Sequence, residues 1–173
     1  LLVNSGGAFA DVTENLAPDL AETGMVTSAL WSDADGDGWL DLFVTHEWGP
    51  VKYYHNDHGT LTDRTALSGL AGMKGWWNGI AGRDIDNDGD IDYAVSNFGL
   101  NTKYHPSPDK PVQVYYGEFG NQDEMRLIEA KYEADTLFPV RGKSCATAAM
   151  PFLGDQIETF HEFAQLPLAE IFT

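Results

Sequence analysis

Two nine-residue stretches, "DADGDGWLD" at 33–41 and "DIDNDGDID" at 84–92, place aspartate at positions 1, 3, 5 and 9 and glycine at position 6. Carboxylates so close repel one another, and neither stretch contains a Lys or Arg to neutralise them. A bound cation relieves that repulsion. A donor set of oxygens without His or Cys favours Ca²⁺ or Mg²⁺ over zinc or copper. Ca²⁺ is preferred, because a flexible loop crowded with carboxylates suits six to eight oxygens better than strict octahedral geometry. The expected ligands are Asp33, Asp35, Asp37, the Trp39 carbonyl and Asp41 in the first turn. In the second they are Asp84, Asp86, Asp88, the Asp90 carbonyl and Asp92. Gly38 and Gly89 permit the positive φ that bends such a loop around an ion. A solvated acidic loop leaves the repetition with glycine in register unexplained, so two structural Ca²⁺ sites are expected. An EF-hand opens the same way but closes with Glu at position 12, where Val44 and Val95 stand here.

These valines point to the elements that must hold the turns. Sliding the sequence by 51 aligns the two turns and puts Leu40, Leu42, Val44 and Ile91, Tyr93, Val95 in one alternating phase, the period of a strand. Sliding by 52 aligns residues 1–13 with 53–65, sharing Asn4/Asn56, Gly7/Gly59, Asp11/Asp63 and Thr13/Thr65. That second match reads as a hairpin. Each repeat of about 50 residues is then strand, acidic turn, strand, loop, strand, tight turn, strand, the blade of a β-propeller. Residues 1–13 match the end of the unit, 24–65 complete one, and 75 to about 100 open the next. Further strands are expected at 112–119, 126–132 and 137–141.

The fold expected is therefore all-β: a partial β-propeller of about three four-stranded antiparallel blades, where closed rings have four to eight. Blades would span 1–145, the first incomplete, with a helical extension at 146–173. In the latter Ile157, Phe160, Phe163 and Ala164 mark a short amphipathic helix stopped before Pro167. The remaining blades, or a second copy of the chain, are expected to complete the ring.

Charge narrows the partners. Ten basic against 27 acidic residues give a net −17, without a Lys/Arg cluster, which argues against nucleic acid and anionic membranes. No apolar run approaches the roughly 20 residues of a membrane helix, so membrane insertion is not expected. The single Cys145 rules out an internal disulfide; despite Arg141 and Lys143 nearby, an inert thiol is expected. His55 and His58 in "HNDH" read as a polar turn rather than a transition-metal pair. The five tryptophans read as packing between blades rather than a sugar-stacking platform, with Trp48 expected to be the most exposed.

Together "DADGDGWLDL" and "DIDNDGDIDY", followed by "VTHEWG" and "VSNFGLN", resemble the FG-GAP/VCBS repeats of integrin α-subunit propellers. Bacterial propeller proteins related to cartilage acidic protein are similar as well. The resemblance covers residues 1 to about 130. It implies a β-propeller with Ca²⁺-binding loops and a role in extracellular adhesion or ligand display. A third turn falls at "EFGNQDEMR", where Glu118, Gly120, Gln122 and Arg126 occupy the four carboxylate positions. It reads as a degenerate turn without Ca²⁺, with Arg126 paired to Glu118. The function expected is a calcium-binding, non-enzymatic adhesion or ligand-binding module of an exported protein, extracellular, cell-surface or periplasmic, with a protein or glycan ligand. The alternative is a calcium-dependent carbohydrate-active enzyme resembling propeller polysaccharide lyases, with its base in "TKYH": Lys103, Tyr104 or His105.

Overall fold

In a computed structural model, residues 1–100, 102–120 and 124–172 are described. The chain divides into two compact units, Leu1–Gly99 and Leu100–Thr173. The first holds both acidic turns.

It opens with β1 (Leu2–Ser5) and β2 (Ala8–Asp11), followed by the single-turn helix α1 (Thr13–Leu16). Next come β3 (Met25–Ser32), β4 (Asp41–Glu47), the short β5 (Gly49–Pro50), β6 (Lys52–Asp57) and β7 (Thr60–Asp63). The unit ends with β8 (Lys74–Gly75), β9 (Trp77–Arg83) and β10 (Asp92–Asn97). Strands β3-β4-β6-β7 form one antiparallel sheet in chain order, while β1-β2 and β9-β10 are two-stranded hairpins and β5 pairs with β8. The offset of 52 appears directly in the register: Leu2 faces Asp11 as Tyr54 faces Asp63, and Ser5 faces Ala8 as Asp57 faces Thr60.

Strand β4 is the centre of this unit. A sheet with one solvated face would show alternating burial, yet every residue from Asp41 to His46 is buried. The cause is cover on both faces. Leu42 and Val44 pack with Ala17, Tyr54 and Leu61 on one side. On the other, the Phe43 ring lies 5.0 Å from Tyr53 and 4.4 Å from Tyr93 of β10. Burying each of these large apolar side chains contributes roughly 1.5–3 kcal/mol. Two polar ties join the hairpin β9–β10 to β3: Thr27 Oγ1 donates to the Trp77 carbonyl at 2.6 Å, and the Tyr93 hydroxyl to Ser32 Oγ at 2.7 Å.

The second unit has a three-stranded antiparallel sheet, β11 (Gln113–Glu118), β12 (Met125–Glu133) and β13 (Thr136–Pro139). Four short helices follow: α2 (Lys143–Ala149), α3 (Phe152–Gln156), α4 (Phe160–Gln165) and α5 (Leu168–Ile171). Ile128 and Ala130 of β12 pack against Ala146, Met150, Leu153, Ile157, Phe163, Leu168 and Ile171. The amphipathic pattern thus marks a core face, as expected, but not one continuous helix. Thr159 caps α4 by accepting from the Glu162 N–H at 3.1 Å, which leaves Ile157 outside the helix while its side chain still enters the core.

Among the described residues the structure is mostly β, with several antiparallel sheets, none of them closed. Only β3-β4-β6-β7 has four strands among the described residues.

Candidate metal centre

Both acidic turns bridge the two strands of a hairpin, β3 to β4 and β9 to β10, and both fold by one internal network. In the first, Asp33 accepts from the N–H groups of Gly36 (2.9 Å), Asp37 (3.1 Å) and Gly38 (3.0 Å). Asp35 accepts from Asp37 N–H at 3.3 Å, and Asp37 from Trp39 N–H at 2.7 Å. The second repeats this through Asp84 with Asn87 (2.7 Å) and Gly89 (3.1 Å), Asp86 with Asp88 (3.3 Å), and Asp88 with Asp90 (2.9 Å). Short Asp side chains satisfy the donors of the bend, as Asx turns do.

The bend needs left-handed backbone at two positions. Gly38 (φ 91) and Gly89 (φ 101) supply it at position 6, as the sequence predicts. Position 4 needs it too, through Gly36 (φ 75) and Asn87 (φ 62). Gly and Asn at position 4 carried that signal.

The folding of each turn gathers its carboxylates. Asp33, Asp35 and Asp41 each place an oxygen within 4.8 Å of the others, and Asp84, Asp86 and Asp92 do the same. Three hard oxygens so close, with several lone pairs still open, suit a divalent cation of the Ca²⁺ class. Asp37 groups instead with Asp35 and His55, and Asp88 lies outside the group of Asp84, Asp86 and Asp92. Trp39 and Asp90 follow the turn's glycine, and neither belongs to the gathered groups.

The two turns differ at their closing aspartate. Asp41 is fully buried and accepts from Ala34 N–H (3.1 Å), Asn56 N–H (2.8 Å) and the Tyr53 hydroxyl (3.0 Å). Burial and then the neighbouring Asp41 hold the Tyr53 hydroxyl far above the usual phenol range, so it remains a donor. His55 Nδ1 stands 3.2 Å from Asp35 and 3.3 Å from Asp41. Asp92 is exposed and accepts from one group, Ile85 N–H at 2.9 Å. Strand β6 makes the difference, since it supplies Tyr53, His55 and Asn56 to the first turn. Their role was not apparent in the sequence, where only the match of Asn4 to Asn56 hinted at position-specific use.

The structure also places the other residues that the sequence singles out, some of them differently from expectation. Arg126 pairs with Glu124, not Glu118, because Arg126 sits opposite Gly117 across the β11–β12 ladder and its near neighbour is reached first. Gln122 of that third turn lies outside the described residues. Trp48 is half-buried, its ring 5.5 Å from Trp76, while Trp31 and Trp39 are 45% and 41% exposed. His55 and His58 take separate partners, the latter bonding Asp57 at 2.7 Å. In "TKYH" Tyr104 is buried and Lys103 Nζ lies 5.2 Å from its ring centre, so this stretch does not present Tyr104 as a base. Cys145 is exposed and forms no disulfide.

The FG-GAP-like repeat matches residues 33–95, from the first aspartate of the first turn through the strand that follows the second. That match is consistent with an FG-GAP/VCBS repeat protein. No curated protein matches the sequence.

Proposed function

We propose that this chain is a calcium-binding, non-enzymatic ligand-binding module of a β-propeller that works outside the cell. The observation that carries the reading is the duplicate turn: the same three carboxylates gathered within 4.8 Å, by the same backbone network, one repeat apart. In each, Asp33, Asp35 and Asp41, or Asp84, Asp86 and Asp92, would hold the ion, with Asp37 or Asp88 and the Trp39 or Asp90 carbonyl completing its shell. The ion supplies charge neutralisation. Held by Asp33 and Asp41, or by Asp84 and Asp92, it would link the end of one strand of the hairpin to the start of the next.

Compartment follows from affinity. Extracellular Ca²⁺ modules commonly bind with Kd near ~10⁻⁴–10⁻³ M, so cytosolic Ca²⁺ would leave such sites largely empty. An ion ten- to a hundredfold above Kd stabilises the folded state by about 1.4–2.7 kcal/mol per site. The ligand displayed by the module is a protein or a glycan. The reading is tested by thermal unfolding in millimolar CaCl₂ and in EGTA. Calcium should raise the melting temperature, and Asp35→Ala and Asp86→Ala should each remove part of that rise. A melting curve indifferent to calcium would refute it.

A further inference from the structure

The two acidic turns share their aspartates but not their surroundings. An all-oxygen donor set favours Ca²⁺ or Mg²⁺, and the turn at 84–92 gathers carboxylates alone among the described residues. Strand β6 brings a nitrogen to the turn at 33–41. Alternation along β6 sends Tyr54 into the core with Leu42 and Leu61, and turns Tyr53 and His55 to the opposite face, where both reach Asp41. His55 Nδ1 then stands 3.2 Å from Asp35 Oδ2 and 3.3 Å from Asp41 Oδ1.

The result is a second group of ligand atoms in the first turn. Besides Asp33, Asp35 and Asp41, the atoms of Asp35, Asp37 and His55 all lie within 4.8 Å of one another. In the second turn Asp88, the counterpart of Asp37, belongs to no such group. The imidazole is what gives Asp37 its place. Its spacing suits a small ion: with Zn–N near ~2.0–2.1 Å and Zn–O near ~2.0–2.2 Å, tetrahedral ligand atoms lie roughly 3.4 Å apart. The 3.2 Å between His55 and Asp35 falls close to that separation. The side chains of His55 and Asp35 are 20% and 43% exposed, so an ion can enter from solvent without opening the sheet.

We propose that Asp35, Asp37 and His55 form a site for a transition-metal dication of the zinc class, confined to the first turn. One imidazole nitrogen, two carboxylates and a water make the four-coordinate shell of zinc sites that have three protein ligands. The nitrogen discriminates, because Ca²⁺ takes oxygen ligands whereas zinc, nickel and copper accept imidazole. Asp41 adds negative charge beside the imidazole while its own oxygens accept from Ala34, Tyr53 and Asn56, so it supports the site without serving as a ligand. His58 takes no part, since it bonds Asp57 at 2.7 Å. The site shares Asp35 and Asp37 with the calcium reading, and the two ions compete for them, but zinc binding does not depend on that reading.

The test is calorimetric titration of the full chain with ZnCl₂ in calcium-free buffer, in a Cys145→Ser background that removes an exposed thiol as a competing ligand. One tightest zinc per chain is expected. His55→Gln and Asp37→Asn should each weaken it at least about tenfold, since even a group behind a metal ligand is typically worth ~10–100-fold in affinity. His58→Gln should leave it unchanged. Asp37→Asn keeps the acceptor for Trp39 N–H on an exposed residue, so it reports on the site even where His55→Gln disturbs β6, and melting curves without metal show that each variant folds. Calcium binding is measured separately on the same samples. A chain that takes up no calcium yet binds zinc through His55 would refute the calcium reading alone. Zinc bound equally well by His55→Gln and Asp37→Asn, or no zinc bound up to millimolar concentration, would overturn this site whatever calcium does.

Discussion

The two closing aspartates offer a sharp contrast, because position 9 is occupied identically and surrounded differently. Asp41→Ala removes a fully buried carboxylate and leaves Ala34 N–H, Asn56 N–H and the Tyr53 hydroxyl without their acceptor. An orphaned buried donor costs about 1–3 kcal/mol; these three are only part-buried and Ala34 is exposed, so the lower end applies to each. A loss of about 3 kcal/mol is expected for the three together. For a unit of this size each kcal/mol corresponds to roughly 4–8 °C, so the melting temperature should fall by more than ~10 °C. Asp92→Ala removes an exposed carboxylate with one backbone donor and should cost a fraction of that. The assay is urea and thermal denaturation in EGTA, where no ion contributes. In CaCl₂ the two variants should then lose the calcium response of their own turn alike. Equal destabilisation of both variants in EGTA would refute the claim that Asp41 organises β6 independently of metal.

Gly38→Ala should lower stability by about 1–2 kcal/mol in a denaturant titration, the cost of a side chain at φ 91, since a Cβ there meets nothing within 4 Å. His46 is buried between the Thr23 hydroxyl at 3.1 Å and the Pro50 carbonyl at 3.0 Å, and burial holds its pKa below the ordinary 6.5. The unfolded chain therefore binds the proton more readily, and His46 should cost stability as pH falls from 6.5 toward its lower folded value. Urea midpoints compared at neutral and mildly acidic pH should show this decline, and His46→Gln should flatten it. In the second unit, Leu153→Ala empties a site with no solvent exposure and should lower the unfolding free energy by about 2–5 kcal/mol. An unchanged urea midpoint would contradict the assigned core.

The chemistry of the turns was legible in the sequence because it is local. Alternate aspartates with glycine at position 6 dictate both the bend and the gathered carboxylates, and the structure reproduces the bend with its internal bonds. The four strands of 24–65 and the hairpin of 1–13 were legible for a related reason, since each repeat supports the alignment of the next. What escaped was everything that depends on which strand lies beside the turn. His55, Tyr53 and Asn56 reach Asp41 from β6, a contact no local pattern encodes. Arg126 illustrates the same limit: ladder register, not position in a motif, selects Glu124 over Glu118. In the tail, the apolar spacing that marks the core face of a helix could not reveal that Thr159 would cap a new helix in its midst.

The account turns on whether the two turns bind calcium, and calorimetric titration of the calcium-free chain with CaCl₂ measures that directly. Two ions per chain are predicted, falling to one when Asp33 and Asp35, or Asp84 and Asp86, are replaced by Ala together. Titration to millimolar concentrations without bound ion, or a stoichiometry that these pairs of substitutions leave unchanged, would contradict it.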